Sequence, residues 1–175
     1  MTATPSRLLP ALLLSGLTGC ATLGGSAPTA DVALVARSGG AVAGALVFSE
    51  GQGGVRLRGE VRGLKPGAEH GFHIHDKGDC SAPDATSAGG HFNPGGTAHG
   101  RHGADVHHAG DLPSLVADAG GVAKIDTVIK GITLAAGPTS VVGRSVIVHR
   151  DPDDFVTQPT GNSGPRIGCG VIVLR

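Results

Sequence analysis

Along the chain, apolar and polar residues alternate in short runs and do not recur at helical spacing. The clearest run is Val55-Arg56-Leu57-Arg58-Gly59-Glu60-Val61-Arg62, in which charged residues occupy every second position. Period-two alternation of this kind predicts a strand with one dry face and one wet face. Gly63-Leu64-Lys65-Pro66-Gly67 then supplies a turn. Further strands are predicted over Val32–Arg37, Ala41–Ser49, Gly71–His75, Val122–Val128, Ser145–His149 and Val171–Leu174. No segment sustains a helical period, and no internal repeat is present. Short strands separated by Gly and Pro turns predict an all-β fold, an antiparallel β-sandwich or flattened barrel.

Two long stretches interrupt the pattern, Asp76 to about Gly121 and Arg150 to about Gly168. A structureless stretch as long as the first is unusual inside a compact domain unless something holds it. Two holders are available in the sequence: Cys80 near its start and a run of metal-type ligands in its middle.

Composition agrees with short strands and many turns. The 175 residues include 31 Gly and 11 Pro, no Trp or Tyr, and four Phe. The core must come from Val, Ile, Leu and Ala. Net charge is +0, so the chain offers no basic surface for nucleic acid, and few aromatics remain for base stacking. The length suits one domain and a leader.

The leader is Met1–Cys20. Arg7 precedes the apolar run Leu8–Leu17, which is too short for a membrane-spanning helix. It ends in Leu17-Thr18-Gly19-Cys20, which resembles a bacterial lipobox. That likeness implies lipidation of Cys20, an extracytoplasmic location in the periplasm or cell envelope, and membrane attachment through lipid alone; an ordinary cleaved signal is the alternative. Residues 21–30 read as a flexible tether and residues 31–175 as the folded domain. With Cys20 set aside, Cys80 and Cys169 remain as a disulfide or as two free thiols. Outside the cytoplasm a bridge is favoured, and closing so long a loop would stabilise by about 4–5 kcal/mol in the chain-entropy model.

Eight of the nine histidines lie between His70 and His108. In the strand Gly71–His75, residues two apart share a face. Phe72 and Ile74 would point into the core and His73 and His75 away from it, so a metal held there would lie outside the sandwich, under the long loops. His91, His99, His108 and Asp111 offer three imidazoles and a carboxylate, a set that suits tetrahedral zinc. His149 ends the Val146-Ile147-Val148 run, and a neighbouring strand could bring it beside His73 and His75, as imidazoles suit copper. A solvated His-rich loop would explain the same residues. His70, His102 and His107 fit no pattern.

Three segments carry a resemblance. Gly71-Phe72-His73-Ile74-His75, Gly89-Gly90-His91-Phe92-Asn93-Pro94 and Gly164-Pro165-Arg166-Ile167-Gly168-Cys169-Gly170-Val171-Ile172 resemble the signatures of the copper/zinc superoxide dismutases, from about Val42 to Leu174. The resemblance implies a Greek-key β-sandwich with two long functional loops. It implies that superoxide is dismutated at copper held by His73, His75, His91 and His149. It implies zinc held by His91, His99, His108 and Asp111, with His91 shared between the metals. Asp153, flanked by Asp151 and Asp154, falls where the family links a copper histidine to a zinc histidine. Arg166 matches the anion-guiding arginine, and Cys80 and Cys169 match the intrasubunit disulfide. A homodimer is among the assemblies the resemblance implies. The segment between Cys80 and His91 resembles bacterial members, while the loop from Arg150 to Pro165 is shorter than theirs and has no Lys. The alternatives to an enzyme are an anchored copper- and zinc-binding protein, a structural relative lacking copper, and a zinc hydrolase, for which no partner residues are recognisable.

Overall fold

The computed structural model of the protein describes residues 1–2 and 27–175. Most of the expected leader, with Cys20, and most of the expected tether therefore lie outside the described residues. Ten strands follow in chain order: β1 Thr29–Ala36, β2 Ala43–Gly51, β3 Gly54–Arg62, β4 Glu69–His70, β5 Phe72–His75, β6 Leu115–Val116, β7 Ala123–Ile129, β8 Ser145–His149, β9 Arg166–Val171 and β10 Val173–Leu174. A single 3-10 turn at Thr86–Ala88 is the only helical element among the described residues. No helix there is long and apolar enough to cross a membrane.

The main sheet runs β5-β8-β9-β1-β2-β3-β7, with β10 beside β1. All its pairings are antiparallel. β1, β2 and β3 form a meander, and β9 returns to lie beside β1, which is the Greek-key arrangement. The sheet curls until its two wings share one core. Leu46 and Phe48 from β2 and Leu57 and Val61 from β3 pack in the same buried cluster as Phe72 and Ile74 from β5 and Val146 and Val148 from β8. On β3 the buried Val55, Leu57 and Val61 alternate with exposed Arg56, Arg58 and Arg62, so the alternating pattern yields a half-wet strand.

β8 differs, because all five of its residues are buried. Val146 and Val148 face the common core. Ile147 faces the other way, into a small cluster with Ala85, Ala88 and Cys169. The long β5–β6 connection thus covers the outer face of this wing. Three restraints hold it there. Cys80 is joined to Cys169 of β9, with 5.9 Å between the Cα atoms. Phe92 and Leu112 are buried in the core. Backbone hydrogen bonds tie it to β5: Ile74 N donates to Gly110 O at 2.8 Å, and Phe92 N to Ile74 O at 2.8 Å.

Some boundaries differ from expectation. The folded part begins at Thr29, not Asp31: Ala30 is fully buried and pairs with Phe48 and Leu174, so the last two tether positions belong to β1. The second interruption ends at Pro165, because β9 starts at Arg166. Its Gly168 and Gly170 hid it from an alternation reading. They are small because the neighbouring chain is close: a Cβ on Gly168 would lie 2.6 Å from Val42 Cγ1, and one on Gly170 2.6 Å from Ala33 O. The short β4–β6 pair was not expected; each strand has two residues.

Candidate metal centre

β5 carries His73 and His75 on the face opposite Phe72 and Ile74, as the period of two requires. Across the β5–β8 ladder, His73 pairs with Ile147 and His75 with Ser145, the outer-face residues of β8. His149 stands at the end of β8. There the β8–β9 register slips, so that Val148 faces Gly168 while His149 faces Arg166. Ile167 is the extra residue of this bulge, and the slip turns Arg166 onto the face shared with His149. The long connection delivers the remaining side chains through two isolated bridges to β5, His75 with His91 and His73 with Asp111.

Two groups result, each with its ligand atoms within 4.8 Å of one another and every residue buried: His73, His75, His91 and His149; and His91, His99, His108 and Asp111. All seven residues expected to hold metal therefore meet, and His91 belongs to both groups.

The polar atoms of the first group show what it lacks. Nδ1 of His73 and Nε2 of His75, His91 and His149 are buried without a hydrogen-bond partner. A buried polar atom left unpaired is costly, and four converging imidazole nitrogens left so describe a cation site. In three of these rings the other nitrogen meets a group outside both donor sets. His73 Nε2 lies 2.7 Å from Asp153 Oδ2, His75 Nδ1 lies 2.9 Å from Gly89 O, and His149 Nδ1 lies 3.1 Å from Gly164 O. Such outer contacts fix tautomer and ring orientation.

In the second group Asp111 Oδ1 lies 2.9 Å from His91 Nδ1, 3.0 Å from His99 Nδ1 and 3.4 Å from His108 Nδ1. His108 Nδ1 lies 3.3 Å from His91 Nδ1. A tetrahedron with zinc-type bond lengths has edges of about 3.3 Å, so the donor set and spacing fit zinc. Asp153 joins the groups from behind, with its Oδ1 2.9 Å from His99 Nε2.

Electrostatics suit the ligand roles. Burial, reinforced by neighbouring His73, pushes His149 down to about 3. Burial pushes His91 down to about 4 against the opposing pull of Asp111. Burial also holds His75 well below its ordinary value. These rings are neutral at physiological pH, as metal ligands must be. Burial alone would raise the Asp111 carboxyl, but hydrogen bonds to His108 and His91 outweigh it and hold the group ionised.

Arg166 is half-buried, with Nη1 donating to Ala85 O and Nη2 to Gly89 O, both at 2.7 Å. Two residues here escaped the sequence reading. His70 is buried and its Nδ1 lies 2.9 Å from the carbonyl of His149; only its place in a His-rich region marks it. Gly161, with φ +66°, lets the β8–β9 loop pass the Asp153–His99 contact, where a Cβ would lie 1.9 Å from Asp153 Oδ1; among so many glycines nothing singles it out.

The family described as copper/zinc superoxide dismutase matches residues 42–172, which carry both groups. "Superoxide dismutase [Cu-Zn] 2" of Aquifex aeolicus (strain VF5) is 39% identical over 137 residues, covering 76% of this chain and 80% of that protein. "Superoxide dismutase [Cu-Zn]" of Paramecium bursaria Chlorella virus 1 is 40% identical over 153 residues, covering 82% and 79%. Among solved structures, a double mutant of a SOD-like protein from Bacillus subtilis superposes with TM-score 0.75 at 40% identity, over 82% of this chain and 96% of that one. Sequence match, fold and donor sets agree, and this chain belongs to the copper/zinc superoxide dismutase family, whose cofactors are copper and zinc.

Proposed function

We propose that the protein removes superoxide by dismutation, with copper in the group of His73, His75, His91 and His149 and zinc in the group of His91, His99, His108 and Asp111. The observation that carries this reading is the set of four unpaired imidazole nitrogens sealed beneath the loop. Copper, when bound, supplies the one-electron redox chemistry by which one superoxide is oxidised to oxygen and a second, with two protons, is reduced to hydrogen peroxide.

The residues of the chain do the rest. His73, His75 and His149 present their free nitrogens at fixed angles, because Asp153, Gly89 O and Gly164 O hold the opposite ring atoms. His91 faces one group through Nδ1 and the other through Nε2, so it would be the ligand common to both, and its Nε2 would take up and release a proton between half-reactions. Arg166 draws in the anionic substrate and orients it by a charge-assisted hydrogen bond. Two of its N–H groups are spent on Ala85 and Gly89; a guanidinium has five, and the others are available to substrate. Asp153 is the positioning residue that ties His73 to His99.

Attachment through a lipidated Cys20, location in the cell envelope and assembly as a homodimer are part of this reading and rest on the sequence and the resemblance. The deciding experiment is a superoxide-consumption assay on protein loaded with copper and zinc. Activity that disappears when copper alone is withdrawn supports the proposal. A fully loaded, folded protein that consumes no superoxide would reduce it to a metal-binding protein.

A further inference from the structure

Two histidines of the long β5–β6 connection, His102 and His107, belong to neither inner group. Both are half-buried at the surface. Each ring is anchored through Nδ1, which lies 2.9 Å from Asp111 O in His102 and 2.7 Å from His108 O in His107. A carbonyl oxygen only accepts, so each Nδ1 carries the proton and Nε2 of the neutral ring is a bare lone pair. Neither Nε2 has a hydrogen-bond partner among the described residues, and neither is sealed from solvent.

His75 and His149 are arranged in the same way, with Nδ1 on a backbone carbonyl and Nε2 free. The spacing agrees as well. The rings of His102 and His107 have centroids 5.6 Å apart, against 5.7 Å for His75 and His149 and 5.3, 5.3 and 5.5 Å within the His91, His99 and His108 set. A metal about 2 Å from each of two ring nitrogens lies about 3.2 Å from each centroid, and rings so spaced then subtend ~120°. The outer pair thus matches the inner rings in spacing and the copper-group pair in anchoring, but is open to water.

We propose that His102 and His107 form a further, solvent-facing site for a divalent transition-metal ion of the zinc or cupric class. The ion binds through the two Nε2 atoms, with water completing its coordination. The cleft holding the pair measures about 290 Å³ and is also lined by Gly103, Ala104, Val128 and Lys130, which leaves room for that water. The Lys130 ammonium opposes a cation there, so the site binds more weakly than the buried groups. Both rings are already held by carbonyls of inner-group residues, so little side-chain freedom is lost on binding.

The test is equilibrium dialysis of metal-loaded protein against buffered zinc, comparing wild type with His102→Asn and His107→Asn. Asn places an amide N–H where His carries Nδ1, so the contact with the carbonyl is kept and Nε2 is removed. Wild type is expected to take up one equivalent more than either variant, whatever the inner occupancy, with unchanged melting temperatures. Cupric ion in that extra equivalent should show two nitrogen ligands by electron paramagnetic resonance. Equal stoichiometry in wild type and both variants overturns the proposal. Should the Asn variants fail to fold, Lys130→Gln decides: removing the opposing charge should tighten the extra equivalent about threefold, and an unchanged affinity overturns the site.

Discussion

Arg166 and His75 are bound to one oxygen, the carbonyl of Gly89, which accepts from Arg166 Nη2 at 2.7 Å and meets His75 Nδ1 at 2.9 Å. The guanidinium proposed to guide the anion is thereby set in register with a histidine of the proposed copper group. Lys has one point-like ammonium and cannot span Ala85 O and Gly89 O together while facing outward. Arg166→Lys should therefore lower the superoxide consumption rate about tenfold or more at low salt and flatten its decline with ionic strength. Pulse radiolysis across a salt series measures both. A rate and salt slope equal to wild type would remove the steering role.

Asp153 reaches His73 and His99 with its two oxygens. Asn offers one acceptor and one donor, so Asp153→Asn keeps at most one of these contacts as they stand. Loss of such an outer partner typically costs 10–100-fold in metal affinity, so a drop of about that size is expected. Competition with a zinc chelator measures it, and zinc retention equal to wild type would contradict the bridging role.

Gly161 and Gly67 both have left-handed backbone, φ +66° and +68°. A Cβ on Gly67 meets nothing within 4 Å, whereas one on Gly161 would lie 1.9 Å from Asp153 Oδ1 and 2.6 Å from His99 Nε2. Gly67→Ala should cost about 1–2 kcal/mol, the left-handed penalty, and Gly161→Ala about 1–3 kcal/mol more for overpacking. Urea unfolding of the two variants tests the difference, and equal midpoints would show that the loop yields without cost.

Acid should destabilise the metal-free protein. His149 and His91 are pushed down to about 3 and about 4, chiefly by burial, and His75 is lowered in the same way. In the unfolded chain they titrate near their ordinary value of about 6.5. Below that pH the unfolded state takes up protons that the folded state refuses, so stability is full above about 6.5 and falls as pH drops toward 4 and then 3. His99 opposes this. Burial would lower its pKa, but Asp153 and Asp111 outweigh burial and raise it, so its contribution is full at low pH and lost as pH rises. With three rings against one, urea midpoints of chelator-treated protein should fall between about pH 7 and pH 4; constant midpoints would show that the rings are solvated without metal.

The sequence by itself determined what depends on local order. Alternation on β3 and on Phe72–His75 set strand type and face, because neighbouring side chains on a strand must point apart. Residue type and spacing offered seven candidate ligands beside the reading of a solvated His-rich loop, and the family resemblance assigned them to two metals. The tertiary structure decided what depends on contacts between distant segments. The bulge at Ile167 that turns Arg166 toward His149 exists only in the pairing of β8 with β9. The closeness that demands glycine at positions 161, 168 and 170 is set by Asp153, Val42 and Ala33, which lie far away along the chain or across a turn. Shape complementarity of this kind leaves no periodic mark, since a glycine needed for space reads the same as one needed for a turn.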